Sequence, residues 1–201
     1  MADTRKSVIE ALLLASEKPL ALEQIRLVLD NAGNDEIRKL LDELKTEYEQ
    51  SCRGIRLAEI AGGFQMITAS EFAPFLRKLF KNRHIERLSK PALETLAIVA
   101  YKQPLTKSEI ELLRNVNIDG VMKSLLAKGL IRVAGRKKAP GRPCVYGTTR
   151  IFLEYFGLKS LDDLPEIDDF PAMAKKSNLT DIELEEENKA EVMNEPQSTA
   201  Q

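Results

Sequence analysis

Two segments of this 201-residue chain align with each other, without a gap, at a constant offset of 85 residues. The pair Pro19-Leu20 recurs as Pro104-Leu105, and the apolar positions around it recur as well. The recurring apolar residues are Val8, Ala11, Leu12, Ala15, Ile25, Val28, Ile37, Leu40 and Leu41 in the first copy and Leu93, Leu96, Ala97, Ala100, Ile110, Leu113, Met122, Leu125 and Leu126 in the second. This repeat predicts two related domains in tandem, each of about 80 residues, which is enough for one small core.

The first copy has the apolar periodicity of three amphipathic helices, followed by alternating, strand-like sequence. We expect helices over residues 7–16, 22–31 and 35–49, with the second helix ending near a left-handed cap at Gly33. The strand-like segments turn at Ala61-Gly62-Gly63 and form a hairpin. A further helix carries the apolar residues Phe72, Phe75, Leu76 and Leu79.

The second copy follows the same plan. Its first helix begins near Pro91, its second begins with the capping box Thr106-Lys107-Ser108-Glu109, and its third covers residues 118–128. Strands are expected over 130–133 and 144–149, and a last helix over 150–156 ends at Gly157. Three helices and a hairpin form a winged-helix unit. The predicted fold is therefore mostly α-helical with small β wings (α+β), with two tandem winged-helix domains at residues 1–82 and 88–165.

The charge of the chain is unevenly distributed. Residues 162–201 hold 12 acidic and 3 basic side chains, whereas residues 1–161 hold 27 basic and 19 acidic ones. Periodicity fades beyond Pro165, so we expect residues 166–201 to be a disordered acidic tail. A basic body with an acidic tail indicates an electrostatic role for one of them, or a tail that only keeps the chain soluble.

The residues that catalysis requires are not arranged for it in this sequence. A phosphate-binding loop needs glycines between a strand and a helix, whereas Gly62-Gly63 lies in a predicted hairpin and Gly141 in a wing. The single histidine, His84, lies in a charged connector beside Arg83 and Arg87 and is interpreted as a surface residue. We therefore expect no enzymatic activity, no cofactor and no metal site.

Cysteine content and hydropathy favour a cytoplasmic protein. Cys52 and Cys144 lie in different copies without metal-ligand spacing, and two such cysteines fit a reduced cytosol. The longest apolar runs, Ala11–Ala15 and Leu96–Ala100, have five residues and are too short to span a bilayer. We expect no membrane association.

A basic segment without any acidic residue lies between Asp119 and Glu154. Winged helices often bind DNA with the third helix in the major groove and the wing on phosphate. The third helix here, residues 121–128, has no Arg, Asn or Gln to read bases, so any DNA binding is expected to be weak, non-specific and to the backbone. A solvated wing, or one that docks an acidic partner, is the alternative. The candidate contact residues for DNA or a partner are Arg132, Arg136, Lys137, Lys138, Arg142 and Arg150.

The second copy also carries a distinctive series of short motifs. These are Leu126-Ala127-Lys128-Gly129-Leu130-Ile131, Pro140-Gly141-Arg142-Pro143, Tyr146-Gly147-Thr148-Thr149, Phe156-Gly157-Leu158 and Asp163-Leu164-Pro165. With Leu93–Tyr101, they closely resemble the segregation and condensation protein B (ScpB) family of the bacterial condensin. The resemblance covers roughly residues 5–165.

This resemblance implies two non-catalytic winged-helix domains and a homodimer formed largely through the N-terminal domains. It also implies binding to the central region of the kleisin ScpA, chiefly through the C-terminal domain. ScpA bridges the heads of the SMC ATPase, so the implied role is chromosome condensation and segregation at the nucleoid. There are two competing functions. The chain could be a DNA-binding transcriptional regulator, or a scaffold whose acidic tail binds basic proteins.

The motif residues themselves have a physical interpretation that is mainly structural. Proline fixes φ, so Pro140 and Pro143 are expected to stiffen the wing, and Gly141 permits a tight turn between them. Tyr146 offers a ring that can be buried and a hydroxyl that can form a hydrogen bond, and Gly147 is assigned to the same structural motif. Direct contact of these residues with a partner is the alternative.

Overall fold

The computed structural model describes residues 2–29, 32–80 and 87–166. The described residues up to Asp162 form one compact unit that contains both copies. In these described ranges, no helix is long and apolar enough to cross a membrane. The connector with His84 and the tail beyond Glu166 lie outside the described residues.

The described residues of the first copy form four helices and two strands. A short 3₁₀ turn, Ser70–Phe72, precedes the last helix. The elements are α1 (Ala2–Ala15), α2 (Leu22–Val28), α3 (Asn34–Gln50), β1 (Ile55–Ile60), β2 (Gly63–Thr68) and α4 (Ala73–Leu79).

The second copy contains four helices and three strands, and a 3₁₀ turn (Leu161–Asp163) follows its last helix. The elements are α5 (Lys90–Lys102), β3 (Leu105–Thr106), α6 (Lys107–Arg114), α7 (Asp119–Ala127), β4 (Ile131–Arg136), β5 (Cys144–Thr148) and α8 (Arg150–Phe156). The predicted α+β class, mostly helical with small antiparallel sheets, is confirmed.

The sheets of the two copies have the same strand order. In the second copy β5 lies between β3 and β4 and pairs antiparallel with both. In the first copy β1 pairs with β2, and Leu20 forms an isolated bridge with Phe64 of β2 where β3 pairs in the second copy. The chain therefore repeats a three-stranded arrangement, which is consistent with two winged-helix units.

The buried faces confirm the repeat in the second and third helices. Ile25 of α2 and Ile110 of α6 are both fully buried, and Ile37 and Leu40 of α3 correspond to the buried Met122 and Leu125 of α7. The predicted inner stripe of α3, completed by Leu41 and Leu44, is confirmed.

The gapless alignment is wrong in the first helix. The buried residues of α1 are Ile9 and Leu13, whereas Ala11 and Ala15 are exposed. Their counterparts in α5 are Thr95 and Val99, at an offset of 86. The connection between α1 and α2 is thus one residue longer than the connection between α5 and α6. As a result, α1 buries a different face from the one predicted by the gapless alignment.

Two predicted helix ends also differ from the structure. Helix α2 ends at Val28, and Leu29 and Ala32 continue into the core as non-helical residues. Gly33 has φ −76°, so it does not form a left-handed cap and instead precedes α3 as its N-cap residue. By contrast, Gly157 does end α8 in the left-handed region, with φ +67°.

Candidate functional site

The wing of the second copy is a loop of residues 137–143 between β4 and β5. Its base is closed by the Lys137 amide, which donates to the Pro143 carbonyl at 2.9 Å. At its tip, the Arg142 amide donates to the Ala139 carbonyl at 2.9 Å, and Gly141 has φ +78°. Proline followed by a left-handed glycine is typical of a type II turn. The tight turn predicted at Gly141 is therefore present.

Four of the predicted contact residues lie on this wing with accessible side chains. Arg132 and Arg136 are exposed on β4, and Lys138 and Arg142 are exposed on the loop. The Arg136 guanidinium donates to the Arg142 carbonyl at 3.3 Å, which ties the strand to the loop. Among residues 87–166, the side chains of Arg132, Lys138 and Arg142 form no ion pair. These three cations remain available to an anionic partner.

Lys137, in contrast, is already paired within its own domain. Its Nζ lies 2.5 Å from Oε1 of Glu109, the residue that completes the capping box of α6. The other carboxylate oxygen accepts the Thr106 amide at 2.8 Å, which confirms the predicted capping box. The hydrogen bond from Lys137, then those from Thr106, lower the pKa of Glu109 to about 2. This contact joins the wing to α6.

Arg150 is not part of the wing surface. It is the first residue of α8, where its Nε lies 3.2 Å from Glu154 Oε1 and its Nη2 donates to the Pro19 carbonyl at 3.3 Å. Close to it in the chain, the Leu158 carbonyl accepts the amide of Ala61 at 2.8 Å. The structure therefore places Arg150 at a junction between the two copies, apart from the other predicted contact residues.

The Tyr-Gly-Thr-Thr motif forms the support behind the wing. Gly147 is buried in β5, and a Cβ at this position would lie 2.7 Å from Oε1 of Gln103. That oxygen accepts the Thr148 amide at 2.7 Å, while Gln103 Nε2 donates to Thr148 Oγ1 at 3.0 Å. Thr149 Oγ1 caps α8 by accepting the Phe152 amide at 3.2 Å. Sequence reasoning did not find Gln103, since nothing in its local pattern distinguishes it.

Helix α4 carries an apolar surface that its own domain leaves exposed. No residue of this helix is buried, and Phe75 and Leu79 are 69% and 73% exposed. Phe72, in the preceding turn, lies three residues before Phe75 and is also exposed. We call Phe72, Phe75 and Leu79 the α4 surface. A seven-residue helix is too short to be stable without tertiary packing, so this surface is a candidate interface.

Comparisons with known proteins identify the family. The model described as "Segregation and condensation complex subunit ScpB" matches residues 7–167. A segregation and condensation protein B of Syntrophotalea carbinolica is 49% identical over 172 residues, which cover 86% of each chain. The chain belongs to the ScpB family. A second ScpB relative, from Moorella thermoacetica, is 41% identical over 176 residues, 88% of this chain and 89% of that one.

Solved structures include further members of the ScpB family. The crystal structure of ScpB from Mycobacterium tuberculosis is 36% identical and covers 79% of this chain and 98% of that one, with a TM-score of 0.39. A dimer of an ScpB N-terminal domain complexed with an ScpA peptide is 37% identical and covers 38% of this chain and 95% of that one, with a TM-score of 0.36.

Proposed function

We propose that this chain is a non-catalytic accessory subunit of the bacterial SMC–ScpA–ScpB condensin, and that it dimerises and binds the central region of ScpA. The observation that carries the proposal is the family match, which extends over both winged-helix units, residues 7–167. In this role the chain acts in the cytoplasm at the nucleoid. It influences the SMC ATPase only through ScpA. The process that it supports is chromosome condensation and segregation.

The dimer interface in this proposal is the α4 surface. Phe75 and Leu79 are large apolar side chains exposed on one side of a short helix, in the domain for which the family resemblance implies dimerisation. A two-fold axis through α4 brings the same apolar patch of both chains together, which is the usual geometry of a homodimer. Both side chains would then be removed from water.

Calorimetry with light scattering tests the kleisin-binding role. The full-length chain is titrated with a peptide from the central region of ScpA of the same organism, and the mass of the complex is measured. We expect saturable binding with two chains per kleisin. A peptide of the same composition in scrambled order is the control. If a folded chain does not bind the peptide, the proposed function is wrong. The chain then shares only its fold with the family.

A second activity, weak and non-specific DNA binding, is supported by the exposed cations of the wing. Arg132, Lys138 and Arg142 are available to phosphate, and each neutralised phosphate steepens the dependence of affinity on salt. We expect Lys138→Ala and Arg142→Ala each to reduce the slope of log K against log salt by about 0.9 on duplex DNA. Fluorescence anisotropy over a series of salt concentrations measures this slope.

The matched control for these variants is Lys39→Ala, which removes an exposed lysine from α3 of the first copy. It is expected to leave the slope unchanged. Affinity should also be similar for unrelated duplexes, because α7 has no Arg, Asn or Gln to read base edges. A preference for one sequence, or an unchanged slope in both wing variants, would show that the wing does not bind DNA in this way.

A further inference from the structure

The tip of the β1–β2 hairpin is partly buried, although turns usually lie exposed on the surface. Ala61 and Gly62 form this two-residue turn, with φ of +51° and +70°, as a type I′ turn requires. Gly62 is exposed, whereas Ala61 is only 8% exposed and is not part of the apolar cluster in the core of the first copy. Alanine is uncommon in the left-handed region. A strained residue that is buried outside its own core indicates that the tip does more than close the hairpin.

The hairpin contacts the second copy just beyond the end of α8. The Ala61 amide donates to the Leu158 carbonyl at 2.8 Å. Beside this hydrogen bond, Lys159 Nζ lies 2.9 Å from Glu59 Oε2 of β1. The amide of the first loop residue in such a hairpin has no partner in the strand ladder, so the second copy supplies one here.

The end of α8 is shaped so that the Leu158 carbonyl can accept this bond. Gly157 ends the helix with φ +67°, and the Leu158 amide donates back to the Leu153 carbonyl at 2.9 Å. This is the bonding of a Schellman motif. It satisfies the Leu158 amide inside its own copy and turns the chain out of the helix, which leaves the Leu158 carbonyl for Ala61.

The other end of α8 contacts the same sheet of the first copy. Arg150, the first residue of α8, donates from Nη2 to the Pro19 carbonyl at 3.3 Å, and the next residue, Leu20, forms the bridge with Phe64 of β2. A helix of seven residues is about 10 Å long, so these contacts fix the orientation of the second unit as well as its position. We call the three contacts together the hairpin latch: Ala61 with Leu158, Glu59 with Lys159, and Pro19 with Arg150.

The hairpin latch is small and polar. Among the described helices and strands, the main packing contacts all join elements of the same copy. The side chains of Glu59 and Lys159 are 27% and 56% exposed, so salt screens their attraction. Domains move relative to one another unless the interface between them is large and apolar. The contacts are therefore specific enough to define one orientation and weak enough to open.

We propose that the hairpin latch is a conformational switch between the two winged-helix units. In the closed state it holds the units in one orientation, and in the open state the second unit rotates relative to the first. The α4 surface belongs to the first copy and the wing to the second. In a dimer formed through the α4 surface, closed latches hold the two wings at one separation, whereas an open latch leaves that separation variable. A ligand shifts this equilibrium by the difference in its affinity for the two states.

The two cysteines of the chain report the state of the latch, because Cys52 lies in the first copy and Cys144 in the second. Spin labels are attached to both in the full-length chain, which is then diluted with unlabelled chain so that only distances within one molecule are measured. Pulsed electron spin resonance is expected to give one narrow distance distribution for the wild type. Lys159→Glu places a carboxylate against Glu59 and is expected to lose the narrow peak and give a broad distribution.

Charge reversal of both partners is the matched rescue. Glu59→Lys combined with Lys159→Glu restores opposite charges and is expected to restore the narrow peak. Lys39→Glu makes the same charge change on α3, which contributes no contact to the latch, and should keep the peak. Arg150→Met combined with Lys159→Glu removes contacts at both ends of α8 and should give the broadest distribution. Circular dichroism of each variant establishes that the chain is folded.

Each contrary outcome overturns the switch. A broad distribution in the wild type would show that the latch is not closed in solution. A narrow distribution in the combined Arg150→Met, Lys159→Glu variant would show that these contacts do not hold the units together. Equal broadening by Lys39→Glu, or a distribution that stays broad after the double charge reversal, would show that the Glu59–Lys159 pair has no specific role. None of these measurements uses the ScpA peptide, so the switch and the proposed function fail separately.

Discussion

If the proposed dimer forms through the α4 surface, the double variant Phe75→Glu, Leu79→Glu is expected to be a monomer of 22.6 kDa at concentrations where the wild-type chain is expected to dimerise. In a two-fold contact through α4, four apolar side chains are removed from water, two from each chain. Burying a fully exposed side chain of this kind contributes about 1.5–3 kcal/mol. Since these are about 70% exposed in the single chain, the loss of all four costs at least about 4 kcal/mol. This corresponds to a rise of about three orders of magnitude in the dissociation constant. Sedimentation velocity at micromolar concentration distinguishes the two masses.

The double variant is expected to fold, because neither residue belongs to the core. Both side chains are exposed within the single chain, and α4 contributes no buried residue to the core of the first copy. The variant should therefore keep the helical circular dichroism and thermal midpoint expected of a folded monomer. Arg77→Glu is the matched control, since it adds the same charge to the opposite side of the helix. If Arg77→Glu dissociates the dimer equally, or if the double variant remains dimeric, the interface lies elsewhere.

Local sequence chemistry predicted the parts of the fold that depend on near neighbours. The stripe of α3, the capping box at Thr106, the turn at Gly141 and the end of α8 at Gly157 each depend on residues within about one or two turns of chain. The buried face of α1 was predicted incorrectly because the connection between α1 and α2 has one extra residue, which changes the side of α1 that is buried. The spacing of apolar residues alone does not show where that extra residue lies.

The candidate site was harder to predict because its contacts join distant residues. Lys137 meets Glu109 across 28 residues, and Arg150 reaches Pro19 across 131. The basic run in the sequence therefore overstates the charge that the wing offers to a partner. In the folded chain, Lys137 and Arg150 of this run are each paired with a glutamate. Periodicity also predicts that α4 and α6 are amphipathic, but it does not show that Phe75 and Leu112 are left exposed. Only the packed structure separates core residues from interface residues.

Replacing Gly147 by alanine is expected to lower the free energy of unfolding of the second copy by about 2 kcal/mol. The new methyl group would lie 2.7 Å from Gln103 Oε1, so the amide side chain must move. That movement breaks the 2.7 Å hydrogen bond from the Thr148 amide, in a strand where Thr148 is buried. A buried donor left without a partner costs about 1–3 kcal/mol. Urea denaturation followed by circular dichroism measures the change.

A double-mutant cycle with Gln103→Ala isolates this contact, because the shortened side chain leaves room for the methyl group. In the Gln103→Ala background, Gly147→Ala is expected to cost less than about 0.5 kcal/mol, and the coupling energy should be about 1.5 kcal/mol or more. Gly120→Ala is the control for the substitution itself. Gly120 lies in α7 with no neighbour within 4 Å of an added Cβ, so alanine there should stabilise the helix by up to about 1 kcal/mol. Additive effects of Gly147→Ala and Gln103→Ala would show that Gly147 is required for another reason, and would reopen direct partner contact as the role of this motif.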